Sequence, residues 1–231
     1  MAGRKKGHKK LLGVIMIMLL TGMSVALNLF AQSHREQLTR PKIDKSDWKY
    51  KLVNMDNPLE ADYNVELGES RDGSFFDARA VGELEAMLDA GAKQGMDLAV
   101  VSGYRSYEYQ KQLHERRIQR LVSEGYAYEQ AVSTAPTIVA RPGESEHNLG
   151  LAVDIVSRSY PILNSGFANT PEGRWLRENC GDFGFILRYE KEKQPITGVI
   201  YEPWHFRYVG SEAAAYIMET GLCLEEFLET A

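Results

Sequence analysis

The sequence predicts an α+β domain with helices packed around a small, mostly antiparallel sheet. Helical and strand-like stretches alternate irregularly instead of repeating as βαβ units. The apolar runs that suit strands are short, and about 180 residues remain for one core once the N-terminal region is set aside.

In chain order, residues 77–94 (DARAVGELEAMLDAGAKQ) put Ala80, Val81, Leu84, Met87 and Leu88 on one face, and Gly95 stops that helix. Leu98, Ala99, Val100 and Val101 form a run suited to a buried strand. Residues 106–124 read as a second helix, capped by Ser106 and ended by Gly125, with a shorter third over 126–134. Residues 151–156 read as a strand. Thr170 as N-cap and Pro171 at the first helical position open a further helix. Residues 185–189 and 206–209 suit strands, and 211–220 a closing helix.

Of 231 residues, 44% are hydrophobic and 26% charged, which fits a globular domain and excludes a disordered or fibrous chain. The formal charge is −5, so a nucleic-acid partner is not expected. Residues 1–10 nevertheless carry five positives (Arg4, Lys5, Lys6, Lys9, Lys10) and read as a basic cytoplasmic tail. Residues 11–30, LLGVIMIMLLTGMSVALNLF, are uncharged and long enough as a helix to cross a bilayer core of roughly 30 Å. The flanking positives then predict a single-pass anchor with the rest of the chain outside the cell membrane. A cleaved signal peptide competes, since Ser24, Val25 and Ala26 offer a small-x-small site; the domain would then be secreted. Residues 31–49 are polar, contain Pro41, and read as a stalk. The domain is assigned to 50–231 and taken as monomeric. Cys180 and Cys223 are the only cysteines, and either a disulfide or two ordinary thiols fits them.

Three histidines fall in the domain. His114, among charged helical neighbours, reads as a surface residue. His147 stands seven residues before Asp154, a carboxylate inside the apolar run LAVDIV. A carboxylate buried there must be paired or bound to a metal, and both solutions stay open at this point. His205 follows Glu202 by three, around Pro203. Two histidines, an aspartate and a spare glutamate are the inventory of a catalytic zinc site that keeps one position for water. Arg141, Glu144 and Glu146 read as loop charges.

Ser145-x-His147-x-x-Gly150-x-Ala152-x-Asp154 and Glu202-x-x-His205 resemble the SxHxxGxAxD and ExxH signatures of VanY-like D-alanyl-D-alanine carboxypeptidases, zinc peptidases sharing the LAS/hedgehog-type metal site. Ser102-Gly103-Tyr104-Arg105-Ser106 with Tyr109-Gln110 is similar to that family's SGYRS…YQ segment. Leu52-Val53-Asn54 with Asn57-Pro58-Leu59 is similar to its domain opening. The resemblance implies one Zn2+ per domain, held by His147, Asp154 and His205. It implies Glu202 as general base for a zinc-bound water, and Arg105 as stabiliser of the oxyanion or holder of a substrate carboxylate. Gln110, Ser145 and Trp204 become substrate contacts, although Ser145 also fits a plain turn-shaping role. The implied substrates are peptidoglycan stem peptides, losing the terminal D-Ala. An L,D-carboxypeptidase acting on tetrapeptide stems and a non-catalytic wall-binding module remain the alternatives. Loops over 158–173 and 190–199 are expected to shape the substrate end of the site.

Overall fold

In the computed structural model, which describes residues 39–230, a hairpin of β1 (Leu67–Glu69) and β2 (Phe75–Asp77) precedes α1 (Val81–Lys93). The first helix therefore begins four residues later than its apolar spacing suggests. Asp77 pairs with Leu67 in the hairpin, and its amide donates to the Gly150 carbonyl at 2.9 Å, so its backbone is committed before the helix can start. Next come β3 (Leu98–Ser102), α2 (Tyr107–Ser123), α3 (Tyr128–Thr134), the single-turn α4 (Glu146–Leu149) and β4 (Ala152–Ser157). The chain continues through α5 (Pro171–Asn179), β5 (Phe185–Leu187), the short α6 (Gln194–Thr197), β6 (His205–Tyr208) and α7 (Ser211–Thr220). One further helix, α8 (Leu224–Glu229), follows the one expected to close the domain. The expected caps are in place: Ser106 Oγ accepts from the Tyr109 amide at 3.2 Å and Thr170 Oγ1 from the Gly173 amide at 2.9 Å.

The central sheet runs β3–β4–β6–β5 with every pairing antiparallel, which bears out the α+β expectation. It separates two apolar layers. Phe185 and Leu187 join Phe76, Leu84, Met87 and Phe206 in the main core, while Ile186 between them joins Val209, Ile217, Leu224 and Phe227 under α7 and α8. That alternation is the period-two signature of a strand covered on both faces.

Two further expectations change, and the open question of the cysteines is answered by free thiols. His114 is buried, not a surface residue: its Nδ1 donates to the Val139 carbonyl at 2.7 Å because α3 and the turn after it fold back beside α2. Cys180 and Cys223 are both free and buried, and burial pushes each thiol up to about 12. The compact unit begins at Pro41; Ile43 packs on the second core layer, and Trp48 stacks on Tyr208 at 5.9 Å. Among the described residues no helix is long and apolar enough to cross a membrane, and residues 11–30, assigned as the anchor, lie outside them.

Candidate metal centre and active-site cleft

Strand register assembles the site. Asp154, on the central strand β4, stands opposite His205 across the β4–β6 pairing and opposite Ser102 across β3–β4. The β3 register shifts between Val100 and Ser102, just before the chain turns through Gly103 to Arg105. A Cβ on Gly103 would lie 2.3 Å from the Phe75 carbonyl oxygen, so no other residue fits this close approach. The Gly103 carbonyl accepts from His147 Nδ1 at 2.7 Å. A carbonyl can only accept, which leaves His147 Nε2 without its proton and free to be a metal ligand. His147 itself sits on α4, whose cap is Ser145 Oγ at 3.3 Å from the His147 amide and whose end is Gly150 at φ 80°.

Asp154 is where these elements converge. Its Oδ2 accepts from Arg105 Nη2 at 2.6 Å and lies 3.3 Å from His147 Nε2. Its Oδ1 lies 3.2 Å from His205 Nδ1, yet is buried with no hydrogen-bond partner. One ligand atom from each of His147, Asp154 and His205 falls within 4.8 Å of the others, the one such set among the described residues. Separations of 3.2 and 3.3 Å match the ~3.4 Å between neighbouring ligands of a tetrahedral zinc with bonds of ~2.1 Å. Two imidazole nitrogens and a carboxylate whose Oδ1 is buried and orphaned therefore fit zinc.

Electrostatics around these donors are strongly perturbed. Burial, with Arg105 adding to it, lowers His147 to about 4. Burial opposes protonation of His205 as well, but Asp154, Glu146 and Glu202 outweigh it and raise it to about 9. Burial likewise works against an ionised Asp154, and His147 and Arg105 hold it well below the usual carboxylate range nonetheless. Glu202 is raised to about 8, chiefly by burial. Its Oε2 lies 3.7 Å from His205 Nδ1. The turn carrying it is clamped by the Glu202 amide on the Tyr189 carbonyl and the His205 amide on the Glu202 carbonyl, each at 3.1 Å.

A cleft of about 580 Å³ opens above these groups. Arg105, Gln110, Ser145, Glu202 and Trp204 all line it, so every residue expected at the site faces one space. Arg105 lies beside Asp154 and also donates from Nε to Ser102 Oγ at 2.7 Å. Gln110 donates to the Ala140 carbonyl at 2.8 Å, with its Oε1 3.4 Å from Arg105 Nη1. Of the two expected specificity loops, Leu163 and Val199 reach the cleft.

The family model for VanY, D-alanyl-D-alanine carboxypeptidase, matches residues 73–211, which include every residue of this site. The chain belongs to the VanY family. A D-alanyl-D-alanine carboxypeptidase of Enterococcus faecalis is 45% identical over 187 residues, 81% of this chain and 68% of that protein. Two solved structures are similar at TM-score 0.72. One, a vancomycin-resistance D,D-pentapeptidase VanY from a VanB-type cassette, was solved with Zn(II); it is 44% identical, over 79% of this chain and 99% of that one. The other, VanYB with D-alanine-D-alanine, is 45% identical, over 80% and 99%. The expectations of a VanY-like zinc metallopeptidase and of Zn2+ as its metal are borne out.

The VanY-family site also contains residues that sequence reasoning missed. Glu146, read as a loop charge, has no exposed surface. Its Oε1 accepts from Arg188 Nε at 2.7 Å and Arg207 Nη1 at 2.9 Å, and its Oε2 lies 3.4 Å from His205 Nε2. Arg188 also binds Glu225 of α8 through both terminal nitrogens, at 2.8 and 2.6 Å. Arg207 donates to the Lys49 and Lys51 carbonyls at 3.0 and 2.9 Å. Tyr189, buried, packs its ring 4.8 Å from that of His205 and lines the cleft. Charges inside the apolar runs FILRY and HFRYV are the signal that flagged Asp154, and they mark Arg188 and Arg207 equally well.

Proposed function

We propose that this chain is a zinc D,D-carboxypeptidase that removes the terminal D-Ala from peptidoglycan stem peptides, tethered to the cell membrane through residues 11–30 with its catalytic domain outside. The observation that carries the chemistry is the convergence of His147 Nε2, Asp154 and His205 Nδ1 at the base of a cleft, with the Glu202 carboxyl 3.7 Å from His205 Nδ1. The E. faecalis relative and the D-alanine-D-alanine complex support the substrate class. The basic tail and the twenty uncharged residues after it support the tether.

His147 through Nε2, Asp154, and His205 through Nδ1 would hold the metal. When bound, zinc supplies a Lewis acid that polarises the scissile carbonyl and makes water nucleophilic at neutral pH. Glu202 accepts the proton of the attacking water and passes it to the nitrogen of the departing D-Ala, so hydrolysis yields a new carboxylate and a free amine. Burial holds Glu202 protonated, and its role as base needs the ionised form that a cation held by His147, Asp154 and His205 would favour. Arg105 presents a fixed cation in the cleft, against the negative charge that grows on the carbonyl oxygen. Gln110, braced on the Ala140 carbonyl, keeps its side-chain oxygen towards Arg105, while Ser145 and Trp204 line the peptide's path.

D-Ala release from a UDP-linked pentapeptide and from the matching tetrapeptide tests this reading, with Glu202→Gln as control. Release from the pentapeptide, lost in E202Q, supports D,D specificity. Release from the tetrapeptide instead reassigns the enzyme to L,D cleavage. No release from either by zinc-loaded protein, with wall binding intact in E202Q, leaves a binding module. If expression of the full-length chain yields a soluble product that begins just after Ala26, a cleaved signal replaces the tether.

A further inference from the structure

The cleft extends well beyond the metal centre along one face of α2. Gln110, Leu113, Arg116, Arg117 and Arg120 all line it, a helical stripe at spacings of three and four. From Gln110 beside Arg105 to Arg120, ten residues of helix rise ~15 Å. The near end of this wall therefore belongs to the reacting centre, and the far end carries three arginines.

Their surroundings leave these cations underused by the protein. Arg117 Nε is buried with no hydrogen-bond partner among the described residues. Arg116 lies 5.9 Å from the Tyr109 ring, and Arg120 makes a 3.3 Å pair with Glu124 one turn on, an exposed contact worth little. The acids that line the cleft, Asp154 and Glu202, both sit at the metal end. A chain of net charge −5 thus presents a one-signed positive bank along its own substrate channel.

We propose that Arg116, Arg117 and Arg120 form an anion-recognition subsite, and that the preferred substrate carries an anionic group two or more residues on the N-terminal side of the scissile bond. This rests on the carboxypeptidase reading. In such an enzyme the departing residue ends at the metal, and the rest of the substrate must run away from it along the cleft. Extended peptide covers ~3.3 Å per residue, so Arg116 and Arg117, ~9–10 Å along the helix from Gln110, face a point about three residues upstream. Guanidinium groups bind planar oxyanions through paired hydrogen bonds, which suits a carboxylate or a phosphate. Two sources share that chemistry: an acidic residue in the peptide, or the pyrophosphate of a nucleotide-linked precursor.

The test compares D-Ala release by the zinc-loaded full chain from three pentapeptides ending in D-Ala-D-Ala. One carries Glu at the second position, one carries Gln there, and one is the Gln peptide linked to UDP. The expected result is at least a fivefold higher kcat/KM for an anionic substrate, residing in KM and shrinking as salt is raised. Preference for the Glu peptide identifies a carboxylate, and preference for the UDP-linked form a phosphate. In R116Q/R117Q/R120Q the preference should fall towards one, whereas K111Q, on the same helix but outside the cleft, should keep it. Equal kcat/KM for all three substrates with the unmodified chain overturns the proposal, whether or not the triple variant folds. If none is hydrolysed, the carboxypeptidase reading fails, and that outcome is distinct from equal hydrolysis of all three.

Discussion

Glu146 Oε2 lies 3.4 Å from His205 Nε2, across the ring from the Nδ1 that faces Asp154. Burial opposes an ionised Glu146, but Arg188 and Arg207 overcome it and keep the carboxylate charged far below the usual range. The result is a fixed acceptor behind a metal ligand, selecting the tautomer in which Nδ1 points at the metal. Through the same two arginines the ligand is tied to α8 by Glu225 and to residues 49–51 by backbone carbonyls.

Replacing Glu146 by Gln should weaken zinc binding by about 10–100-fold. It should also lower stability by about 3–5 kcal/mol, because Arg188 and Arg207 lose a buried counter-charge. Competition with a chromophoric chelator reads the first effect and urea denaturation of the metal-free protein the second. Unchanged zinc affinity would show that Glu146 serves the fold alone.

Zinc and a proton compete for His205. With that group raised to about 9, metal binding at neutral pH must expel its proton. Apparent affinity should rise by about tenfold per pH unit between pH 6.5 and 8.5 for each proton displaced. Calorimetry in buffers of different ionisation enthalpy counts those protons. A count of zero at pH 7 would show that His205 is already neutral before the metal binds.

Stability of the metal-free protein should fall on both sides of a plateau near pH 5–6.5. On the acid side, Asp154, Glu146 and Glu225 have depressed folded values, so their contribution is present above about 4.5 and is lost as pH falls. On the alkaline side, His205 is raised from 6.5 to about 9, so its contribution is complete below 6.5 and is lost as pH rises through 9. Glu202, raised from 4.5 to about 8, acts in the same direction from pH 4.5 to 8, and up to pH 6.5 it is offset by His147, lowered from 6.5 to about 4, whose contribution grows over that window. E202Q should therefore flatten part of the alkaline decline, and saturating zinc should remove the His205 part. Denaturation midpoints that do not change from pH 6 to 9 would refute this account.

Glu202→Gln should reduce kcat by about 10²–10⁴ while leaving zinc content intact, since the Gln keeps the shape but cannot accept the water's proton. Metal analysis alongside turnover separates these effects. Loss of zinc in parallel with activity would make Glu202 a ligand instead.

Much of this site was legible in the chain itself. His147, Asp154, Glu202 and His205 stand in short, ordered motifs whose residue types are those of a zinc peptidase, and Asp154 announces itself as a charge in an apolar strand. The caps Ser106 and Thr170 were equally readable, because capping is a contact over three residues. The hairpin at Leu67–Asp77 was not, since three-residue strands carry almost no periodicity and depend on each other. His114 and Glu146 misled for the same reason: charged or polar neighbours in sequence say nothing about what folds over them from elsewhere.

Local sequence alone determined the chemistry available to this protein, the caps of its helices and the family to which it belongs. Tertiary structure decided which nitrogen of each histidine faces the metal position, the burial that raises Glu202 to about 8, and the line of arginines along the cleft. Those properties depend on groups 42 to 61 residues apart, such as Glu146 with Arg188, His205 and Arg207. A ring's tautomer and a carboxyl's charge follow from their neighbours in space, which only the antiparallel register and the packed layers bring into contact.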